Sequence, residues 1–165
     1  DPVIFFEHKL LYGIKGEVPE DRDFTIPFGS AAIARPGENL TIVATGLMVS
    51  RSIEAAQQLA SEGISAEIID PRSISPIDWE TIFASVDKTG RALIVNEATL
   101  VCSVASEIAA TIGERRFQSL DGPVRRLGAP FVPKPSTPGL EKLAYPSVED
   151  IVRVAFEMFP RRRKG

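Results

Sequence analysis

His8 is the one imidazole of this chain and Cys102 its one thiol. One histidine and one cysteine cannot assemble a histidine and cysteine zinc site, and a lone cysteine closes no intrachain disulfide. His8 follows the apolar run Val3-Ile4-Phe5-Phe6. At a strand end it would either face a cleft shared with a missing neighbouring domain or make an ordinary hydrogen bond at the surface. The second reading is favoured, because no nucleophile or orienting group accompanies it. Cys102, between Val101 and Ser103, has no neighbouring cation to activate it and reads as a small buried residue at a helix start.

Open parallel sheets bind ligands outside the carboxyl ends of their strands, so three further places could carry chemistry: Thr45-Gly46, Asp70 to Arg72, and Asn96-Glu97. Thr45-Gly46 precedes a predicted helix whose N–H groups could receive an anion, but the several glycines of a phosphate loop are missing. Asp70 and Arg72 flank Pro71 on one stiff turn, which favours a structural ion pair. Glu97 could act as an acid or base only with a companion in the cleft, and the sequence identifies none.

The elements that must hold these residues follow from apolar period and punctuation. Val3 to Phe6 reads as a short, fully buried strand, and the glycines, prolines and charges of His8 to Asp23 as a linker. Ala31–Ala34 and Leu40–Ala44 are predicted strands. A helix follows, capped by Ser50 or Ser52, with Ile53, Ala56, Leu59 and Ala60 on one face and Gly63 at its end. Next come a strand at Ala66–Ile69, a proline-stiffened loop to Pro76 and a helix over Asp78–Val86. After a strand at Ala92–Val95, a helix at Val104–Ile112 and a strand near Val124–Leu127, a proline-rich loop spans Pro130 to Pro138. Ser147 and Asp150 stand at capping-box spacing before a closing helix striped by Ile151, Val154, Ala155 and Met158; aspartate is shorter than the usual glutamate there. Strands alternating with helices imply a mostly parallel, about five-stranded sheet in a three-layer α/β/α sandwich.

Composition narrows the function classes. The 165 residues are 44% apolar and 25% charged, which suits one globular domain. A net charge of −3 argues against a nucleic-acid-binding face. The basic cluster Arg161 to Lys164 reads as a solvated tail. No apolar run approaches the length of a membrane span and no secretory leader opens the chain, so a cytoplasmic setting with neither membrane nor nucleic-acid partner is expected. The chain opens on Asp1 and moves straight into an apolar run, as if cut from something longer.

Several segments in order resemble the β subunit of thiamine-diphosphate-dependent 2-oxo acid dehydrogenases of the pyruvate, branched-chain and acetoin types. They are Pro2-Val3-Ile4-Phe5-Phe6-Glu7-His8-Lys9, Ile26-Pro27-Phe28-Gly29, Asn39 to Ala44, and Glu67 to Asp78 with its Asp70-Pro71-Arg72. Lys88-Thr89-Gly90-Arg91, Leu120-Asp121-Gly122-Pro123-Val124 with Arg126, and Pro146 to Val152 complete the series. The resemblance implies that residues 1–12 are the remnant of a preceding pyrimidine-binding domain and 13–29 a linker. Residues 30–160 would be a transketolase C-terminal-like domain with one antiparallel strand in a mixed sheet, and 161–165 a basic tail.

The same resemblance implies that thiamine diphosphate and Mg serve the intact enzyme at a site shared with the α subunit, and that this fragment holds no catalytic, cofactor-binding or metal residue. Its expected partners are the α subunit, a second β subunit and the peripheral subunit-binding domain of the acyltransferase core. Asp121 and Arg126 are the expected contacts with that small domain, with His8, Asp70, Arg72 and Glu97 as interface or strand-end polar groups. The basic tail departs from the family pattern and would disfavour a basic partner nearby. The segments from Phe5 to Lys9 and Lys15 to Glu20 lean toward a pyruvate or acetoin type. The alternatives are a freestanding anion- or small-ligand-binding α/β domain, and the matching domain of a transketolase or deoxyxylulose-phosphate synthase.

Overall fold

The computed structural model describes residues 2–159. The basic tail falls outside them. Five strands form one mixed sheet: β1 (Ala32–Arg35), β2 (Leu40–Ala44), β3 (Ala66–Asp70), β4 (Ala92–Thr99) and β5 (Arg125–Ala129), in the spatial order β1-β3-β2-β4-β5. Strands β2 to β5 are parallel and β1 lies antiparallel on the edge of β3. The turn from Arg35 to Leu40 therefore joins strands that are not neighbours, and no hairpin forms.

Helices α1 (Leu47–Ser61), α2 (Trp79–Thr89) and α3 (Val104–Arg115) make the three crossovers, and α4 (Pro138–Ala144) and α5 (Val148–Glu157) close the chain. Alternate residues of the central strands serve opposite faces. Ile42, Ile68, Leu93 and Val95 pack with α1 and α5, while Val43, Ile69, Ala92 and Ile94 pack with α2 and α3. Burial on both faces is why β2 reads as an unbroken apolar run, and every one of its residues is buried.

Four expectations need correction. Val3 to Phe6 is neither strand nor core: the run is irregular and its side chains are 63–86% exposed. An apolar run becomes a strand only where another strand completes its ladder, and none lies beside it among the described residues. Helix α1 starts one turn before Ser50, at the N-cap Gly46, whose φ of 56° and ψ of −129° suit glycine. Cys102 is exposed, at a φ of 50° in the loop between β4 and α3. Helix α4 occupies the end of the stretch read as loop, beginning with proline at its first position. The capping box does close: Asp150 N–H donates to Ser147 Oγ at 3.1 Å and Ser147 N–H to Asp150 Oδ2 at 3.2 Å.

The amino end of the sheet carries a buried polar network. Thr41 Oγ1 lies 2.7 Å from both Ser85 Oγ and Thr89 Oγ1. Beside it Glu67, only 2% exposed, accepts hydrogen bonds from Lys88 Nζ and from Gly37 N–H. Burial alone would raise the carboxyl's pKa, but the bonds from Lys88, Ser85 and Gly37 outweigh it and hold Glu67 below its ordinary value of 4.5. A carboxylate whose folded pKa is depressed contributes stability above its unfolded value and loses it as pH falls through the folded one. The melting temperature is thus expected to fall as pH drops below about 4.5. Thermal melts from pH 7 to 3 should show Glu67→Gln less stable at pH 7 and less acid-sensitive. Parallel acid slopes for the two proteins would refute the assignment.

Candidate functional site

The carboxyl ends of β2 and β4 meet where the crossover direction reverses, since β2 leads through α1 to β3 on one side and β4 leads through α3 to β5 on the other. This crevice brings together residues far apart in sequence. Glu97 projects from β4 with a carboxylate oxygen 4.0 Å from where a Cβ on Gly46 would sit, at the amino end of α1. Its other oxygen, Oε1, accepts a hydrogen bond from His8 Nε2 at 3.1 Å, both side chains being about a quarter exposed. His8 Nδ1 in turn accepts from Leu10 N–H at 3.2 Å and caps the 3-10 turn Lys9–Gly13. An Nδ1 that accepts carries no proton, so the ring proton lies on Nε2, facing Glu97.

Glu97 thereby has the companion that the sequence could not identify, but the pair is closed chemically. Neither ring nitrogen is free to take a proton from a substrate, and the carboxylate lies on the positive end of α1 where a phosphate would otherwise bind. The anion-binding reading of Thr45-Gly46 meets like-charge repulsion from Glu97. Arg72 does not relieve it. Asp70 and Arg72 form no ion pair; Asp70 Oδ1 instead accepts the backbone N–H of Arg72 at 3.1 Å, and Arg72 is held at a φ of 57°. A carboxylate that folds back on the chain two residues on makes an Asx turn, and the guanidinium is left outside it.

Among the described residues no group of three or more histidine, cysteine or acidic side chains is arranged to hold a metal ion. Among the described residues, the Glu97 carboxylate at the amino end of α1 opposes a diphosphate group there.

A second polar site lies at the opposite end of the sheet. Gly90, the left-handed C-cap of α2 at a φ of 67°, accepts at its carbonyl the N–H of Asp121 at 2.8 Å. A Cβ at position 90 would stand 2.8 Å from Asp121 Oδ2, so glycine is required by space as well as conformation. Arg91 Nη1 reaches that oxygen at 2.8 Å, while Arg91 Nε donates to Met158 O and its guanidinium lies 4.8 Å from the centre of the Phe159 ring. Arg125 and Glu157 pair nearby at 3.0 Å. Together they line a shallow cavity of about 180 Å³ floored by Gly122 and Pro123.

Asp121 remains 57% exposed, with its Oδ2 turned to Arg91. Arg126, one strand position beyond Arg125, uses Nη1 internally, donating to Leu100 O at 3.0 Å and Ser106 Oγ at 2.7 Å. It holds the loop between β4 and α3. The sequence reading missed Arg91, Arg125 and Glu157 as neighbours of Asp121. The Gly90-Arg91 pair was visible, but nothing local connects it to residue 121.

Comparison with known proteins bears on the family and the fold. The family described as transketolase, C-terminal domain matches residues 29–151. The chain belongs to that family. It is 48% identical over 96% of its length to the β subunit of an acetoin:2,6-dichlorophenolindophenol oxidoreductase from Bacillus subtilis. It is 44% identical over 86% of its length to the 2-oxoisovalerate dehydrogenase β subunit of the same organism. A pyruvate dehydrogenase E1 component β subunit from Arabidopsis thaliana is 46% identical over 94% of the chain. The matched parts are 46%, 44% and 44% of those proteins, so the transketolase C-terminal domain here spans about half the length of the curated relatives it matches. A solved structure described as a split gene transketolase, inactive β4 tetramer, superposes with a TM-score of 0.71 at 28% identity, covering 86% of this chain and 45% of that one. The five-stranded mixed sheet is the fold the two share.

Proposed function

We propose that this chain is the non-catalytic C-terminal domain of a thiamine-diphosphate-dependent 2-oxo acid dehydrogenase β subunit, which supports assembly of the heterotetramer and docks the acyltransferase core. The observation that carries the reading is identity of 44–48% to acetoin, pyruvate and 2-oxoisovalerate dehydrogenase β subunits over nearly the whole chain. The closed His8–Glu97 pair supports a role outside the chemistry. Residues 1–12 then end a preceding pyrimidine-binding domain, 13–29 are the linker, 30–160 the domain itself and 161–165 its basic tail.

In the complete enzyme the α subunit and a second β subunit are the partners, and thiamine diphosphate with Mg is bound outside this domain. The proposed setting is cytoplasmic. The split transketolase described as a β4 tetramer supports self-association as one step of assembly. Asp121 is the proposed contact for a basic residue of the acyltransferase's peripheral subunit-binding domain; Arg126, the second proposed contact, lies apart from it, bonded to Leu100 O and Ser106 Oγ.

Calorimetric titration of this chain with thiamine diphosphate and Mg is expected to give no binding heat, and the chain alone is expected to turn over neither pyruvate, 2-oxoisovalerate nor acetoin. Binding in the micromolar range, or measurable turnover, would overturn the proposal.

A further inference from the structure

We infer that His8 and Glu97 form a clasp that seats the leading segment of the chain across the carboxyl end of the central strands. Among the described residues, the bond between their side chains is the one hydrogen bond by which residues 2–28 reach the rest of the domain. The other bonds of that segment are internal: Leu10 to His8, Leu11 to His8, Tyr12 to Glu7, Ile14 to Leu11, and Asp23 and Phe24 to Asp21. The next polar ties come at Gly29 N–H, which donates to Ser73 Oγ at 3.1 Å, and at Ala31 N–H, which donates to Asp78 Oδ2 at 2.9 Å. The clasp thus closes a loop from His8 to Gly29 that is otherwise solvent-facing.

Both partners are built for holding. His8 fixes its own tautomer by accepting Leu10 N–H at Nδ1, so its Nε2 proton has one direction to go. Glu97 stands near the end of β4, where the pairing with β5 shifts register between Val95 and Thr99, and its carboxylate lies against the amino end of α1. The exposed run Val3 to Phe6 precedes His8, with Glu7 between them. The clasp therefore sets where those four exposed apolar side chains are presented, at the crevice between β2 and β4 rather than at the amino end that carries Asp121. This inference goes beyond the docking proposal and does not depend on it, since its readouts involve no partner.

Hydrogen exchange of the Leu11 and Ile14 amides, which close the turn after His8, reports the clasp directly. Glu97→Ala in this chain should speed exchange at both by about fivefold, the worth of one net hydrogen bond. Melting of the domain should be nearly unchanged. Glu97→Gln keeps an acceptor oxygen and should remain closer to the parent. His8→Ala should match Glu97→Ala, and the double variant should add nothing, because both remove the same bond. Parent-like exchange in Glu97→Ala, a glutamine variant as fast as alanine, or additive single effects would each overturn the clasp.

Discussion

Alanine at position 37 is expected to destabilise the domain by about 3 kcal/mol, the upper end of ordinary overpacking costs, and to lower its melting temperature by roughly 10 °C. The cause is steric. A Cβ at Gly37 would lie 2.2 Å from both Ala66 C and Glu67 N, and 2.5 Å from Ala66 O. Those are backbone atoms of a strand paired on both sides, so the turn would have to lift away from β3. Lifting it breaks the bonds from Glu38 N–H and Asn39 N–H to Ser65 O, from Arg35 to Ala66 O, and from Gly37 N–H to Glu67. Gly63→Ala supplies the contrast: position 63 has a φ of 83° but open space around its Cβ. Its cost is the left-handed penalty of about 1–2 kcal/mol. Thermal melts in which the alanine at 37 is no worse than the one at 63 would show that the turn yields more easily than its contacts indicate.

The same contacts show what a sequence can and cannot disclose. β2 and β3 were legible because both faces of a central parallel strand are buried, which leaves an apolar run bounded by turn residues. The closing helix was legible because its cap is local, Ser147 and Asp150 lying one turn apart. Val3 to Phe6 misled for the converse reason, since the composition that fills a core strand is the same wherever the partner strands lie. The start of helix α1 is hidden in the sequence because its glycine cap carries no side-chain signal.

Of the candidate polar residues, each was nameable and none could be paired with a residue distant in sequence. His8 and Glu97 are 89 positions apart, and Arg91 meets Asp121 only because β4 and β5 are neighbours in the sheet. Strand order decides such meetings, and strand order has no local signature. The Asp70–Arg72 expectation failed on a nearer scale: a short carboxylate reaches the backbone two residues on more readily than a guanidinium on the same turn.

Under the proposed docking role, Asp121→Lys is expected to weaken binding of the acyltransferase's peripheral subunit-binding domain by about 100-fold or more, the cost of replacing one partner of an interfacial charge pair with a like charge. Asp121 can serve a partner while keeping Arg91, because Oδ2 takes the arginine and the side chain is 57% exposed. Arg91 fixes the carboxylate's direction in advance, which lowers the ordering cost of docking. Lysine at 121 would put two cations against Gly90 and present a positive face to a basic partner. Because Asp121 is more than half exposed, loss of its pair with Arg91 should cost the domain little stability, within about 1 kcal/mol. Lost affinity with a retained melting temperature is therefore the diagnostic result. Asp121→Asn, which removes charge but keeps shape, should fall between the two, and raising salt should weaken the parent more than the asparagine variant. An affinity unchanged by lysine would remove Asp121 from the interface and leave its pair with Arg91 as a purely internal tie between β5's approach and the end of α2.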